Sequence, residues 1–202
     1  MRRHTFALAT LVTFAGAAFG GRTALQVRRH GDSGWRMNRP RTAADAAVQG
    51  AMVASALALT VAPLAAGRQA TARTASAPAG LAGIAGGALA VGGGVLTLVA
   101  QGQMGASWRI GVDPDERTGL VRGGLYRRVR NPIFTGMLLF AAGEALLVPN
   151  RWGVAGAALL AASIEGQVRR VEEPYLLATH GDEYREWAAA AGRFLPGVGR
   201  LG

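Results

Sequence analysis

A cluster of arginines directly precedes an apolar stretch in the second half of the chain. Arg127, Arg128 and Arg130 are followed by Asn131 and Pro132, after which the sequence becomes apolar. Proline is favoured in the first turn of a helix, so a helix is predicted to begin here. The free backbone N–H groups of a helix start attract anions, and the arginines add fixed positive charge. The stretch is therefore a candidate site for a small anionic group at the edge of an apolar helix.

The composition limits the classes of protein that need to be considered. Half of the 202 residues are apolar, and they gather into long runs, which predicts an all-α integral membrane bundle. The absence of cysteine excludes disulfides, thiolate zinc sites and cysteine nucleophiles. Only three histidines are present, far apart in the sequence, so no metal site is expected.

The apolar runs predict about five transmembrane helices in two regions. Region 1–100 contains the N-terminal helices, and region 101–202 contains a polar loop (101–131), a helical hairpin (132–168) and a C-terminal cap (169–202). Residues 67–78 read as a polar linker, and Pro149-Asn150 marks the turn of the hairpin. The three predicted N-terminal helices cover about residues 5–27, 43–66 and 79–100.

Two features of these runs allow more than one interpretation. The first run has the basic start and short apolar core of a cleavable signal peptide, so it is either a retained helix or a signal. In the third run small residues recur at four-residue spacing, as in Gly83 and Gly87 or Ala90 and Gly94. This spacing favours close helix packing in the bilayer.

The distribution of arginines predicts the orientation of the bundle. All 22 basic residues are arginine, and seventeen of them lie in segments 22–41, 101–130 and the tail after residue 165. The positive-inside rule places these segments, and therefore the C-terminus, in the cytosol. The composition suggests a bacterial inner membrane. Because the arginines lie in short loops between apolar runs, the expected partners are the lipid bilayer and its headgroups, and no nucleic acid.

The tail carries one amphipathic helix. Tyr184, Trp187, Ala188 and Ala191 recur at helical spacing after Gly181, so one face of this helix needs a cover. We predict that the loop 101–131 supplies it and that both together form a cap over the bundle.

The second half of the chain contains several short motifs in a defined order. The motifs are Leu120-Val-Arg-Gly-Gly-Leu-Tyr126, Arg130-Asn-Pro132, Gly136, Glu172-Glu-Pro-Tyr-Leu176, His180-Gly-Asp-Glu-Tyr184 and Arg193-Phe-Leu-Pro196. Their order and spacing resemble the isoprenylcysteine carboxyl methyltransferase family, within the wider group that contains membrane phospholipid methyltransferases. The resemblance covers about residues 101–197.

This resemblance implies that S-adenosylmethionine binds under the cap and that a lipophilic methyl acceptor enters from the bilayer. Arg130 is then the candidate for orienting an acceptor carboxylate, with Arg169 or Arg170 as a second arginine. The implied cofactor-binding residues are Thr118, Gly119, Leu120, Val121, Tyr126, Asn131, Pro132, Ile133, Phe134, Glu172 and Glu173.

The chemistry of the donor fits these residue types. S-Adenosylmethionine carries a carboxylate, an ammonium and a sulfonium, which a helix start at Asn131, the carboxylate of Glu172 and the ring of Tyr126 can bind. A carboxylate acceptor is already ionised at neutral pH, so its methylation needs no general base. Two positions depart from the family pattern, since Asn131 and Phe134 stand where the family has histidine and tyrosine.

Carboxyl O-methylation of an isoprenylcysteine-like acceptor is therefore the expected activity. Phospholipid N-methylation and thiol S-methylation by the same fold are alternatives, although an amine or thiol acceptor must first lose a proton. An NADPH-dependent enzyme similar to the sterol reductases is a rival from another class, because those proteins end in similar motifs. A scaffold without turnover is the third possibility.

Overall fold

The computed structural model describes residues 2–36, 42–72, 80–111 and 119–201. In these ranges every regular element is helical, which confirms the all-α prediction. The eight α-helices are α1 (Arg3–Ala15), α2 (Arg22–His30), α3 (Ala43–Ala72), α4 (Leu81–Met104), α5 (Pro132–Leu147), α6 (Arg151–Gln167), α7 (Glu173–His180) and α8 (Asp182–Ala190).

Three helical stretches are long and apolar enough to cross a membrane. They are Arg3–His30, in which a π-helical segment joins α1 to α2 without a break, Ala43–Gln69 and Leu81–Ser107. The helix α5 is apolar but has only 16 residues, or about 24 Å, against a hydrocarbon thickness of about 30 Å. The three predicted N-terminal helices thus correspond to the three candidate membrane spans with shifted ends, and the total of five remains a prediction.

The predicted linker at 67–78 begins too early. The helix α3 continues through Gly67 to Ala72, beyond the apolar boundary. Alanine, arginine and glutamine are good helix formers, so the loss of apolar character at Arg68 does not end the helix. Hydropathy therefore located the membrane segment and missed the helical extension.

The first helix belongs to the core of the bundle. The ring of Phe14 stacks on Phe140 of α5 at 4.2 Å, and Thr10 donates a hydrogen bond of 2.6 Å to the carboxylate of Glu144. Glu144 is only 1 % exposed, although it lies one turn from the end of α5. In the folded chain the first apolar run therefore packs as a helix of the bundle.

Glycines allow α4 and α5 to pack with their backbones almost in contact. A Cβ atom on Gly93 would lie 2.6 Å from the carbonyl oxygen of Gly136, and one on Gly143 would lie 2.6 Å from the carbonyl oxygen of Gly86. Both distances are shorter than real Cβ contacts. The two antiparallel helices can approach this closely only because the four positions have no side chain.

The close packing of small residues was predicted, but of the quoted residues only Ala90 lies on the face of α4 whose backbone contacts α5. Gly87 and Gly94 meet the rings of Phe6 and Phe14 of α1, at 3.4 and 3.5 Å for an added Cβ. The face in backbone contact with α5 lies one residue earlier, at Gly86 and Gly93. With so many glycines in the sequence, four-residue spacing alone did not distinguish the two faces.

The cap over one end of the bundle forms as predicted. The loop residue Tyr126 packs with the stripe of α8, and this cluster also contacts Leu120 and Val121. Arg122 of the loop pairs with Glu183 of α8 at 2.8 Å. The cap therefore joins the loop before α5 to the helices after α6.

We predict that Gly93→Ala destabilises the bundle by about 1–3 kcal/mol, because the new methyl group must push α5 away. Gly92→Ala is the matched control, since nothing lies within 4 Å of a Cβ at that position. Thermal unfolding of the detergent-solubilised variants measures the difference. Equal midpoints for the two variants would contradict the close α4–α5 contact.

Candidate active site

Two segments that are distant in the sequence run side by side at the start of α5. The backbone N–H of Arg130 donates to Gly192 at 2.8 Å, and that of Gly192 donates to Arg128 at 3.0 Å. The N–H of Asn131 continues the pairing by donating to the carbonyl of Arg193 at 3.1 Å. The predicted meeting of the arginine cluster with the C-terminal tail is therefore present in the fold.

A buried ion-pair triad holds these segments to α7. The carboxylate of Glu173 accepts hydrogen bonds from Arg130 at 2.8 Å and from Arg193 at 2.8 and 3.0 Å. The side chains of Arg130, Arg193 and Glu173 are 2, 12 and 10 % exposed. Burial alone would raise the pKa of Glu173, but the two guanidinium groups outweigh it, so the pKa lies below its ordinary value.

Arg130 is mainly engaged with the protein itself. Its terminal nitrogens also donate to the carbonyls of Ala188, Ala191 and Gly199, at 2.7 to 3.0 Å. Its Nε atom is buried and makes no hydrogen bond within the described part of the chain. Arg130 therefore ties the cap together and offers one unused donor.

Glu172, the neighbour of this triad residue, has a contrasting environment. It lies at the end of the π-helical turn Val168–Glu172, and burial of its carboxyl raises the pKa to about 7. A hydrogen bond from Gln167 lowers the pKa and the charge of Glu173 raises it, while no arginine contributes among the described residues. Such a carboxylate is suited to bind a cation, because a positive group would offset its desolvation.

Tyr126 lies within electrostatic reach of Glu172. Burial, followed by the charge of Glu172, raises the pKa of Tyr126 well above its ordinary value. The hydroxyl of Tyr126 donates to the carbonyl of Ala100 at 3.2 Å, and its own carbonyl accepts a hydrogen bond from Trp187 at 2.9 Å. These bonds fix the loop between α4 and α8, with the ring near the π-helical turn.

The start of α5 lacks a side-chain cap. The amide of Asn131 donates to the carbonyl of Arg193 at 3.1 Å instead of accepting from the first turn, and Pro132 has no N–H. The N–H groups of Ile133 and Phe134, which have no intrahelical acceptor, are therefore not satisfied by a capping side chain. An anion is a suitable partner for them.

The remaining predicted site residues are less closely gathered. Gly119 is exposed, Leu120 and Val121 are half-buried at the edge of the cap, and Thr118 lies outside the described residues. Arg169 and Arg170, the candidates for the second arginine, are both exposed, and Arg169 forms an ion pair with Glu165 on the surface.

The sequence prediction missed Arg193. Arg193, rather than Arg169 or Arg170, forms an ion pair with Glu173 beside Arg130. It belongs to the quoted motif Arg193-Phe-Leu-Pro196, but the motif alone gave it no role. A search for a buried partner of each glutamate would have identified it as a candidate.

Comparison with known proteins places the chain in a family. The family model described as phospholipid methyltransferase matches residues 81–183, which is more than half of the chain. The chain belongs to the phospholipid methyltransferase family. The matched region spans α4 to the start of α8, and so includes Tyr126, Arg130 and the glutamate pair.

A solved structure shows the same fold for almost the entire chain. The eukaryotic intramembrane Ras methyltransferase, isoprenylcysteine carboxyl methyltransferase, superposes with a TM-score of 0.61 at 20 % identity. The match covers 96 % of this chain and 66 % of that protein, so the present chain spans about two thirds of the length of the methyltransferase that it matches. The sequence matches no curated protein.

These matches confirm the suspected family and make the chain an integral membrane methyltransferase. They weigh against the sterol-reductase-like alternative, which belongs to another class of reaction. Within the described ranges, no group of three or more histidine, aspartate or glutamate side chains could hold a metal ion.

We predict that Glu173→Gln destabilises the cap by about 3 kcal/mol, because it leaves two buried arginines without their carboxylate. Since the pKa of Glu173 is lowered in the folded protein, its contribution is present above the unfolded value of about 4.3 and is lost as the pH falls below it. The acid-induced loss of thermal stability should therefore be smaller in Glu173→Gln.

The matched control is Glu165→Gln, which removes the exposed pair with Arg169 and should cost less than about 1 kcal/mol. Thermal unfolding across pH 3 to 7 and limited proteolysis of residues 169–201 provide the two measurements. If both variants lose the same stability, the triad does not hold the cap.

Proposed function

We propose that this methyltransferase uses S-adenosylmethionine to methylate the carboxylate of a lipophilic acceptor that enters from the bilayer. The observation that carries the proposal is Glu172, a half-buried residue whose desolvated carboxyl has no arginine partner among the described residues and lies within electrostatic reach of Tyr126. Its neighbours Gln167 and Glu173 supply no positive charge to offset the desolvation, whereas a bound cation would.

The three charged groups of the donor match three features of the site. Glu172 would bind the ammonium, the N–H groups of Ile133 and Phe134 would bind the carboxylate, and the ring of Tyr126 would lie near the sulfonium. When bound, S-adenosylmethionine supplies an electrophilic methyl group. Residues 118–121 and 131–132 complete the proposed pocket.

A carboxylate acceptor suits this set of residues. It is ionised at neutral pH, so the protein must position it and need not remove a proton. The buried Nε of Arg130 is the proposed contact, because the other nitrogens of this side chain already bind protein oxygens. Arg169 and Arg170 lie on the surface, where they could meet an acceptor only during entry.

Phospholipid N-methylation is the second candidate, because the matching family model carries the description phospholipid methyltransferase. It requires a general base for the amine, and the raised pKa of Glu172 would suit that task. Glu172 cannot bind the donor ammonium and accept this proton together. Thiol S-methylation requires a thiolate in the same way.

 The proposed orientation places the cap in the cytosol, and the distribution of arginines supports it. The described segments 22–36, 105–111, 119–130 and 169–200 carry 14 of the 22 arginines. They meet at the cap end of the bundle, as the contacts of Arg22 with Gly105 and of Val129 with Gly192 indicate. By the positive-inside rule this end faces the cytosol, and we extend the proposal to a bacterial inner membrane.

We predict that S-adenosylhomocysteine raises the thermal midpoint of the detergent-solubilised protein and that NADPH does not. Glu172→Gln should remove this shift, whereas Glu165→Gln, which changes an exposed glutamate, should keep it. Stabilisation by NADPH alone would favour the reductase, and stabilisation by neither ligand would favour a scaffold.

The same measurement has a pH dependence with a defined sign. Because the pKa of Glu172 is raised to about 7, its carboxyl is increasingly protonated between pH 8 and 6, and donor affinity should fall over that range. In Glu172→Gln any residual affinity should be independent of pH there. A wild-type affinity that stays constant from pH 8 to 6 would contradict the proposed role of Glu172.

We predict that radiolabelled methyl groups transferred into a lipid and small-molecule extract form base-labile esters. Mild alkali should then release the label as volatile methanol, whereas N-methyl and S-methyl products keep their label under these conditions. The matched control is the same membrane preparation containing Glu172→Gln. Base-stable label that depends on the wild-type protein would overturn carboxyl methylation and leave methyl transfer itself intact.

A further inference from the structure

A second polar site lies between α2 and the last turns of α4. These helices enclose a cleft of about 240 Å³, whose lining includes Arg22, Arg29, Leu98 and Gln101. None of the residues proposed to bind the methyl donor lines it. The cleft is therefore a feature of the N-terminal helices that the proposed activity does not use.

Positive charge is concentrated in this cleft. Arg22 is 8 % exposed, donates to the carbonyl of Gly105 at 2.7 Å and lies 4.9 Å from the centre of the Trp108 ring. Its Nε atom is buried and makes no hydrogen bond within the described residues. The charge of Arg29 acts unfavourably on Arg22, so an anion between them would relieve the repulsion.

Gln101 adds an unused acceptor to the same cleft. Its amide nitrogen donates to the carbonyl of Ala18 at 3.0 Å, while its Oε1 atom is buried and, among the described residues, unpartnered. A buried carbonyl without a donor is costly. The cleft thus presents a cationic donor and a neutral acceptor side by side.

An apolar track leads away from the cleft along the bilayer-facing side of α4. Val91, Val95 and Leu98 recur at helical spacing and are 50, 55 and 39 % exposed. Leu98 also lines the cleft, so the track and the polar site are continuous. A polar pocket at the end of an apolar track on a membrane-spanning helix matches a phospholipid, with its headgroup above its acyl chain.

We propose that the cleft between α2 and α4 binds an anionic glycerophospholipid that carries a hydroxyl in its headgroup. Its phosphate accepts from Arg22 Nε and lies beside Arg29, the headgroup hydroxyl donates to Gln101 Oε1, and an acyl chain follows the track of Val91, Val95 and Leu98. The lipid stabilises the contact between α2 and α4 and is not the methyl acceptor. The proposal holds whether or not the donor pocket is correct.

The test is binding of short-chain phosphatidylglycerol to the purified full-length protein in detergent. Phosphatidylglycerol should raise the thermal midpoint, and phosphatidylcholine of the same chain length should not. Arg29→Gln should weaken phosphatidylglycerol binding about fivefold, the usual effect of one basic residue near an anionic lipid. Arg28→Gln is the matched control, because Arg28 is the neighbour of Arg29 on α2 but does not line the cleft. This variant should bind phosphatidylglycerol as the wild type does.

Arg29 is exposed, so its replacement leaves the buried contacts of Arg22 in place and the variant should fold. Equal effects of the two lipids would overturn the proposal in favour of binding through the acyl chains alone. Equal losses in Arg28→Gln and Arg29→Gln would overturn it in favour of diffuse surface charge. The last ligand to be tested is glycerol phosphate, which has no acyl chains. If it stabilises the protein as strongly as phosphatidylglycerol, the cleft binds a free anion and the lipid assignment is wrong.

Discussion

The carboxylate of Glu173 connects the parts of the chain that form the candidate site. It joins the start of α7 to Arg130 before α5 and to Arg193 after α8. An ion pair this deeply buried needs further hydrogen bonds to offset its desolvation, and backbone carbonyls accept these from the terminal nitrogens of Arg130. The position of the cap over the bundle therefore depends on a polar interaction as well as on apolar packing.

The glycine contact between α4 and α5 sets the geometry beneath that cap. Because Gly93 and Gly136 bring the two backbones together, the end of α4 lies beside the start of α5. Tyr126 then reaches the carbonyl of Ala100 on α4, which fixes its ring near Glu172. In this protein the packing of helices inside the membrane therefore determines where polar groups lie at its surface.

The sequence allowed the helices and the cap to be predicted because their signals are local. Apolar runs revealed the spans, and the stripe containing Tyr184 and Trp187 revealed the buried face of α8. The partners of charged residues are not local, so the pairing of Arg193 with Glu173 was missed. The motifs located the candidate site, but which of two adjacent glutamates forms the triad could be read only from the fold.

That difference between the adjacent glutamates is the strongest argument about function. Glu173 has two arginines that offset its burial, and its role in holding the cap is sufficient to explain it. Glu172 is desolvated as well, yet its neighbours Gln167 and Glu173 provide no positive charge. A cap that needed only stability would gain by replacing such a carboxylate with a neutral side chain. A ligand that brings its own cation and anion, as the proposed methyl donor does, would explain both this carboxylate within reach of Tyr126 and the uncapped start of α5.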